Sequence, residues 1–202
     1  MKLDPSAIRV LGALIEKEMA TPDYYPLSLN SLINACNQKT NRDPVTTLTE
    51  TDVAVSLGTL EDAGLARHAT GEGRVVKYAH CVYEALDLGN RETAVLAVLL
   101  LRGPQTAGEL RARAHSLHAF DGLDAVEACV RRLMERPEPL AAQLPRRPGT
   151  KEHRYTHLLG DAVEAEPREP DRVARLEGTV EALSQEVAEL RQQLADFRRQ
   201  FE

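Results

Sequence analysis

The chain has few cysteines and aromatic residues, and it has no long apolar run. Its three cysteines, Cys36, Cys81 and Cys129, form no Cys-x-x-Cys pair, which argues against a disulfide framework and a cysteine-rich zinc site. Tryptophan is absent and aromatic residues make up 4%, which argues against a stacking platform for sugars or single-stranded bases. The longest apolar run, Ala94 to Leu101, is far shorter than the roughly 20 residues that a bilayer span needs.

Signals for secretion, catalysis and metal binding are missing as well. The first ten residues lack the apolar region of a signal peptide, so we expect a cytoplasmic protein without a membrane association. No Walker lysine motif and no Gly-x-Ser-x-Gly occurs. His115-x-x-His118 and His153-x-x-x-His157 lack the further cysteines or carboxylates of a zinc site, and the Gly-x-Gly at 71–73 is typical of a turn. We therefore expect no catalytic residue, no metal and no cofactor.

Charge is spread unevenly along the sequence. Residues 1–88 carry a net −4, residues 89–160 a net +3 and residues 161–202 a net −5. Only the middle segment has the balance that attracts a polyanion.

An internal repeat organises the first 160 residues. The segments "DPSAIRVLGALIEK" and "NRETAVLAVLLLRG" both begin with a helix N-cap residue type, Asp4 and Asn90. Both continue with apolar residues at i, i+3 and i+4, which predicts a buried helix face formed by Leu11, Leu14 and Ile15 and by Leu96, Leu99 and Leu100.

Two further helices follow in each copy. Ser28 and the capping box of Thr106 and Glu109 begin the second helices. The third helix is predicted to begin at Thr49 in copy one and near Asp121 or Asp124 in copy two. Its predicted inner faces have the same spacing and consist of Val53, Ser56, Leu57 and Leu60, and of Val126, Cys129, Val130 and Leu133.

A β-prone hairpin closes each copy. "LARHATGEGRVVKYA" and "LAAQLPRRPGTKEHRYTH" share the pattern of Arg74-x-x-Lys77-Tyr78 and Lys151-x-x-Arg154-Tyr155. Three helices followed by a two-stranded ribbon are typical of a winged helix. We predict a mainly α fold with small β-wings (α+β), with winged-helix domains at 1–88 and 89–160, a linker at 161–170 and a coiled-coil helix at 171–202.

Three stretches carry a resemblance to a known family. "CNQKTNRDPVTTLTE", "YPLSLNSLINA" and "LLLRGPQTAGELRARA" resemble the YceH-type family of uncharacterised bacterial proteins, over roughly residues 3–160. The resemblance implies a tandem winged-helix fold and DNA-binding ancestry, and it brings no catalytic residues with it.

The polar stretch "ACNQKTNRDPV" at 35–45 allows two interpretations. Copy two joins its second and third helices with five fewer residues, so the fold does not require this segment. It is either a long turn, in which Asn and Asp bond neighbouring backbone, or a contact loop in which Lys39 and Arg42 meet phosphates or a partner's carboxylates.

The outward faces of the third helices differ between the copies. Copy two carries Arg131 and Arg132 there, and its wing adds four further cations that we list with them as candidate DNA contacts: Arg146, Arg147, Lys151 and Arg154. A solvated arginine-rich face is the alternative. In copy one the outward positions, which end at Asp62, carry no cation and are small and largely apolar. This predicts a protein contact at Ala54, Val55, Gly58 and Thr59, unless these are simply exposed small residues.

The tail after the acidic segment "DAVEAEPREP" has apolar residues at alternating spacings of three and four. This pattern predicts a coiled-coil seam, with valine at a and leucine at d favouring a parallel dimer. A helix folded back on the body and a partner's helix are the alternatives. The seam consists of Val173, Leu176, Val180, Leu183, Val187, Leu190, Leu194, Phe197 and Phe201.

These patterns lead to two hypotheses of function. The first is a non-catalytic homodimer that binds double-stranded DNA through copy two, as transcription regulators do. The alternative is a protein-interaction scaffold that keeps the winged-helix fold without DNA binding, supported by the acidic balance and the uncharged face of copy one. The sequence does not identify a DNA target, a pathway or an effector.

Overall fold

The computed structural model describes residues 2–69, 75–146, 149–150 and 152–161, together with Val180 and Val187. Within these residues the chain forms seven α-helices and two small antiparallel sheets, so the expected mainly helical α+β class is confirmed. None of the helices in this part of the chain combines the length and the apolar character that a membrane span needs.

The first repeat contains helices α1 (Pro5–Ala20), α2 (Leu29–Cys36) and α3 (Glu50–Asp62). A 3-10 turn (Pro22–Tyr24) precedes strand β1 (Leu27–Ser28). Strands β2 (Ala66–Ala69) and β3 (Lys77–His80) form the hairpin, and the short helix α4 (Val82–Ala85) leads to the second repeat. The sheet has the order β1-β3-β2.

The second repeat follows the same order of elements. Helix α5 (Asn90–Arg102) is followed by β4 (Gln105–Thr106), α6 (Ala107–Ala114) and α7 (Leu123–Met134). Strands β5 (Ala141–Leu144) and β6 (Arg154–His157) complete a sheet with the order β4-β6-β5.

Strand register shows how closely the repeats correspond. Tyr78 pairs with Leu27 and His68 in the first sheet, and Tyr155 pairs with Gln105 and Gln143 in the second. Two positions after each of these tyrosines lies a buried histidine, His80 in the first sheet and His157 in the second. Burial lowers the pKa of each imidazole to about 4. The two sheets therefore place equivalent residues at equivalent depths.

Helix caps are formed largely as the sequence predicts. The Asp4 carboxylate accepts from the amides of Ser6 and Ala7, and Ser28 accepts from the Ser31 amide. Complete capping boxes join Thr49 to Asp52 and Thr106 to Glu109. The eight predicted inner-face residues of α3 and α7 are all buried, which confirms both faces.

One predicted helix cap needs correction, and the approximate start predicted for another helix is located between the two residues considered. The N-cap of α5 is Gly89, and Asn90 is the first helical residue. Helix α7 begins at Leu123 with Gly122 as its N-cap, between the two aspartates considered. In both cases glycine takes the extended cap conformation, so the polar residue beside it does not supply the cap.

The repeats are joined by the packing of α1 against α5. A β-carbon placed on Gly12 would lie 2.9 Å from two side-chain atoms of Leu101 and 3.1 Å from Cβ of Leu100. The backbone of Leu3 donates to the Leu159 carbonyl at 2.7 Å, so the start of the first repeat also contacts the end of the second. Glycine at position 12 thus permits an approach of the two helices that any side chain would obstruct.

Buried residues of both repeats form one hydrophobic cluster. Residues Met1–Val163 constitute one compact unit, and Glu164–Glu202 constitute another. The predicted boundary between residues 88 and 89 falls in the connection from α4 to α5 and stays a prediction. The predicted linker and coil lie outside the described residues, apart from Asp161, Val180 and Val187.

Replacing Gly12 by alanine is expected to lower the free energy of unfolding by about 1–3 kcal/mol, because the new methyl group overpacks the α1–α5 contact. Gly58→Ala is the matched control: it lies inside α3 with nothing within 4 Å of the added carbon. Alanine there is expected to raise stability by about 0.5–1 kcal/mol. Urea unfolding of both variants measures the difference, and equal effects would contradict the packing argument.

Candidate nucleic-acid interface

The β5–β6 hairpin holds the predicted wing cations of the second repeat. Arg146 follows β5 and is exposed, and its Nε donates to Nε2 of His153 at 2.9 Å. Arg154 is half-buried at the start of β6, opposite Leu144 and Thr106. Arg147 and Lys151 lie outside the described residues. The hairpin therefore brings Arg146 and Arg154 to one end of the second sheet.

Both arginines of helix α7 that are candidate DNA contacts, Arg131 and Arg132, point outward. Arg132 is 62% exposed and forms an ion pair with Glu92 of α5 at 3.0 Å. Arg131 is exposed and lies near Tyr155. The pKa of the Tyr155 phenol is raised mainly by burial and then by the charge of Glu127, and the charge of Arg131 opposes this rise. The same face also exposes three carboxylates, which belong to Asp124, Glu127 and Glu135.

The corresponding face of α3 contains no charge at the four predicted contact positions. Ala54, Val55 and Gly58 are exposed, Val55 by 64%, and Thr59 is half-buried. The Thr59 hydroxyl donates to the Val55 carbonyl at 3.2 Å, so its polar atom is turned back onto the helix. The face offers a partner small and largely apolar side chains.

The loop between α2 and α3 is closed by Asn37. The Asn37 side chain accepts from the Leu48 amide at 2.7 Å and donates to the Leu48 carbonyl at 2.8 Å. The Thr46 hydroxyl adds a hydrogen bond to the Cys36 carbonyl at 3.2 Å. These bonds join the two ends of the polar segment, as the turn interpretation requires.

Arg42 is a core residue, and its prediction as a DNA contact is wrong. Its guanidinium has no exposed surface and makes a bidentate ion pair with Glu16 at 3.0 and 2.6 Å. It also donates twice to the Ala35 carbonyl in the last turn of α2, at 3.1 and 2.7 Å. The residue looked exposed in the sequence because its neighbours are polar, yet its side chain turns inward to a carboxylate on α1. Lys39, in contrast, is exposed as expected.

Arg9 connects this loop to the second repeat. It is buried on α1 and donates to the Leu101 carbonyl at 3.2 Å and to the Pro44 carbonyl at 2.5 Å. The Asp43 amide donates to the same Leu101 carbonyl at 3.0 Å, and Arg102 donates to the Asn41 side chain. The loop of copy one therefore satisfies the carbonyl end of α5 in copy two.

Sequence reasoning missed Arg9, Glu16 and Arg102 as members of one site. A signal was present, because Arg9 and Glu16 lie seven residues apart on α1 and so share a helix face. Both stand within a helix stretch that is buried from Ala7 to Glu16. Charged residues on such a stretch require partners, but the sequence does not tell which residues supply them.

Comparison with known proteins extends the description of the chain. A family model described as "Protein of unknown function, DUF480" matches residues 3–150. The UPF0502 protein of Koribacter versatilis is 54% identical over 193 residues, which cover 93% of this chain and 90% of that protein. The chain belongs to the DUF480/UPF0502 family. This confirms the resemblance to an uncharacterised bacterial family that the loop and helix motifs indicated.

Other members of the DUF480/UPF0502 family match over nearly their whole length. The UPF0502 protein of Pelobacter propionicus is 51% identical over 217 residues, and the match covers 100% of this chain and 99% of that protein. The UPF0502 protein of Geobacter sulfurreducens is 49% identical, with 99% and 98% covered. Neither the family description nor these names state an activity, so function is argued from the residues.

Replacing Arg42 by methionine is expected to lower the free energy of unfolding by about 3–5 kcal/mol, since it leaves the Glu16 carboxylate buried without its partner. The exposed Lys39→Met is the control, expected to change stability by no more than about 0.5 kcal/mol. Urea denaturation at neutral pH compares the two. A similar small change in both variants would show that Arg42 is not a core residue in solution.

Proposed function

We propose that residues 1–160 form two winged-helix domains. Each repeat has three main helices, a short strand before the second helix and a hairpin after the third, with the same strand order and register. In winged-helix proteins the third helix and the hairpin are the elements that meet DNA. The proposal therefore directs attention to α7 with β5–β6, and to α3 with β2–β3.

We further propose that the protein is non-catalytic and binds double-stranded DNA through the second repeat. The observation that carries this proposal is the charge of its hairpin connection. Residues 145–154 contain four arginines or lysines and one glutamate. Cations clustered in a short segment neutralise phosphates and release counterions, which is the main source of affinity independent of sequence.

Helix α7 contributes less to this binding than the hairpin. Arg132 is already paired with Glu92, and three carboxylates share the exposed face with the two arginines. These carboxylates would repel nearby phosphates. Arg131 and Arg132, near the end of the helix, can still contact the phosphate backbone of the DNA. We assign α7 to phosphate contact and not to base readout.

Binding of a mixed-sequence duplex is expected to weaken steeply with salt, and each phosphate contact removed lowers the slope of log K against log[salt] by about 0.9. The variant with Arg131, Arg132, Arg146 and Arg147 changed to alanine should lose up to about 3.6 units of this slope. Arg154→Ala and its register equivalent Lys77→Ala form a matched pair, of which only the first should reduce binding. Fluorescence anisotropy from about 50 to 200 mM salt covers the range in which such contacts respond.

The absence of duplex binding at about 50 mM salt would contradict the proposal, because non-specific contacts are strong at that ionic strength. Equal losses in the Arg154 and Lys77 variants would assign the effect to general charge and not to the second hairpin.

A protein-interaction role is the second candidate, and the α3 face favours it. Its exposed positions, which include Val55 and Gly58, carry no cation to attract a phosphate. Small residues allow another helix or strand to approach closely, and an exposed apolar valine gains from being covered. We propose that this face contacts a protein, within the dimer or outside it.

The tail is proposed to form the dimer. Val180 and Val187 are both helical, one heptad apart, and are exposed by 62% and 45%. Both occupy a positions of the predicted seam, whose other members lie outside the described residues. A second copy of the helix would cover these side chains, as in a parallel two-stranded coil.

Sedimentation of three proteins tests both interfaces together. Removing residues 171–202 is expected to convert a dimer to a monomer, since it deletes the whole seam. Val55→Arg in the full chain is expected to weaken partner binding or self-association, because it places a charge in an apolar contact. A truncated chain that stays dimeric would contradict the coil proposal. A Val55 variant that matches wild type both in sedimentation and in capture of partner proteins by the immobilised full chain would contradict the α3 proposal.

A further inference from the structure

Within the described part of the chain, the junction between the two repeats contains a buried positive charge, Arg9, that forms no ion pair with a carboxylate. Arg9 is 4% exposed, and its hydrogen bonds go to the carbonyl oxygens of Leu101 and Pro44. The buried carboxylate of Glu16 makes its bidentate pair with Arg42, and the exposed Asp43 carboxylate also acts on Arg9, where both acidic charges oppose the lowering of the Arg9 pKa by burial. Of these two buried guanidiniums only that of Arg42 is paired with the buried carboxylate, and the field of the unpaired charge extends to the nearby surface because buried charges are poorly screened.

Two further arginines of the second repeat, Arg102 and Arg113, are half-buried and complete the set of arginines considered with the buried Arg9 and Arg42. Arg102 is the last residue of α5, and its Nη2 donates to Oδ1 of Asn41. Arg113 on α6 is 3.4 Å from a carboxylate oxygen of Glu109, one turn before it. Burial, and then the charge of Arg113, lower the pKa of Arg102. The positive charge of Arg113 thus acts on Arg102, while the carboxylates of Asp43 and Glu16 oppose this lowering of its pKa.

The loop of the first repeat adds lysines to the same region. Lys39 is exposed two residues before Asn41, and Nζ of Lys17 lies 3.4 Å from Oε1 of Gln38. Among the described residues, the carboxylates that act on these cations include Glu16, Asp43 and Glu109. Glu16 pairs with Arg42 and lies 3.9 Å from Nζ of Lys17, Glu109 pairs with Arg113, and the charge of Asp43 acts on Arg9 and Arg102. Cations outnumber these carboxylates, since they comprise Arg9, Lys17, Lys39, Arg42, Arg102 and Arg113.

We propose that this junction binds a phosphate group of the DNA backbone between Arg102, Arg113 and Lys39. An anion placed there relieves the repulsion between Arg102 and Arg113 and can accept charge-assisted hydrogen bonds from both. The site rests on the DNA binding proposed above, and it adds a contact separate from the basic hairpin. Both repeats supply it, so it exists only when they are docked through α1 and α5.

The site also gives the polar loop a role beyond closing a turn. Arg42 and Asn37 hold the loop in place from below, while Lys39 and Asn41 are exposed on its outer side. Asn41 has a φ of 60°, which directs the chain so that its side chain reaches Arg102. The buried residues position the loop, and the exposed lysine and the two half-buried arginines make the contact.

Duplex binding of a junction variant tests the proposal. The variant carries Lys39→Gln, Arg102→Gln and Arg113→Gln, and its matched control carries Arg67→Gln, Lys77→Gln and Arg91→Gln, which removes the same charge elsewhere. The junction variant is expected to lose about 2–3 units of the salt slope and about tenfold or more in affinity, whereas the control keeps its slope. A second variant, Lys39→Gln with Arg113→Gln, leaves the Arg102–Asn41 contact intact and should lose about 1.8 units of slope. Circular dichroism melting verifies that each protein is folded.

The outcomes separate this proposal from the one on which it rests. Wild-type binding with an unchanged slope in both junction variants would overturn the junction site and leave the hairpin in place. No wild-type binding would overturn DNA binding and the junction contact together. Thermal unfolding in sodium phosphate and in sodium chloride of equal ionic strength distinguishes the source of the phosphate. Stabilisation by phosphate that the junction variants lose, with no change in duplex binding, would overturn the DNA contact and assign the site to a free phosphate.

Discussion

The close contact between α1 and α5 is the constraint on which the arrangement of residues 1–161 depends. Both helices are almost wholly buried over their central turns, and Gly12 allows their side chains to interdigitate without a spacer. Each of these helices is also the first helix of its own repeat, so the contact joins two small cores into one cluster. A single repeat of this size would bury a smaller fraction of its surface, and the shared core increases that fraction.

Polar groups at the edge of this contact fix its orientation. Arg9 and the Asp43 amide both donate to the Leu101 carbonyl in the last turn of α5, one of the end carbonyls that receive no bond within the helix. Arg42 in turn ties the loop to α1 and to the end of α2. Apolar packing tolerates small rotations, whereas directed hydrogen bonds do not, so the loop limits how the repeats can turn relative to each other.

The two repeats keep one scaffold and differ in surface chemistry. Alignment of their buried faces places Gly58 of α3 where α7 has Arg131, and Thr59 where α7 has Arg132. The buried positions stay apolar or small in both helices because the same core must be filled. The outward positions have no such requirement, which is why the proposed roles of the repeats can differ while their strand registers remain the same.

Local chemistry explains how much of the fold was predictable. Capping residues, helix periodicity and hairpin turns act within a few positions of the chain, and the duplicated pattern allowed each repeat to support the interpretation of the other. The miss at Asn90 arose because a preceding glycine can adopt the extended cap conformation without a side-chain bond. The candidate site was less predictable: Lys39 and the arginines of α7 are exposed as expected, but Arg42 is not.

The sequence by itself determined the repeat, the inner faces of the third helices and the unequal distribution of charge, because these depend on spacing along one chain. Tertiary structure alone decided which charges are buried and which meet across the repeats. Arg42 finds Glu16, which precedes it by 26 positions, and Arg9 finds the Leu101 carbonyl at a separation of 92. The first pairing follows from the packing of the loop against α1 and the second from the docking of α1 on α5, and neither has a periodicity that a single sequence reveals.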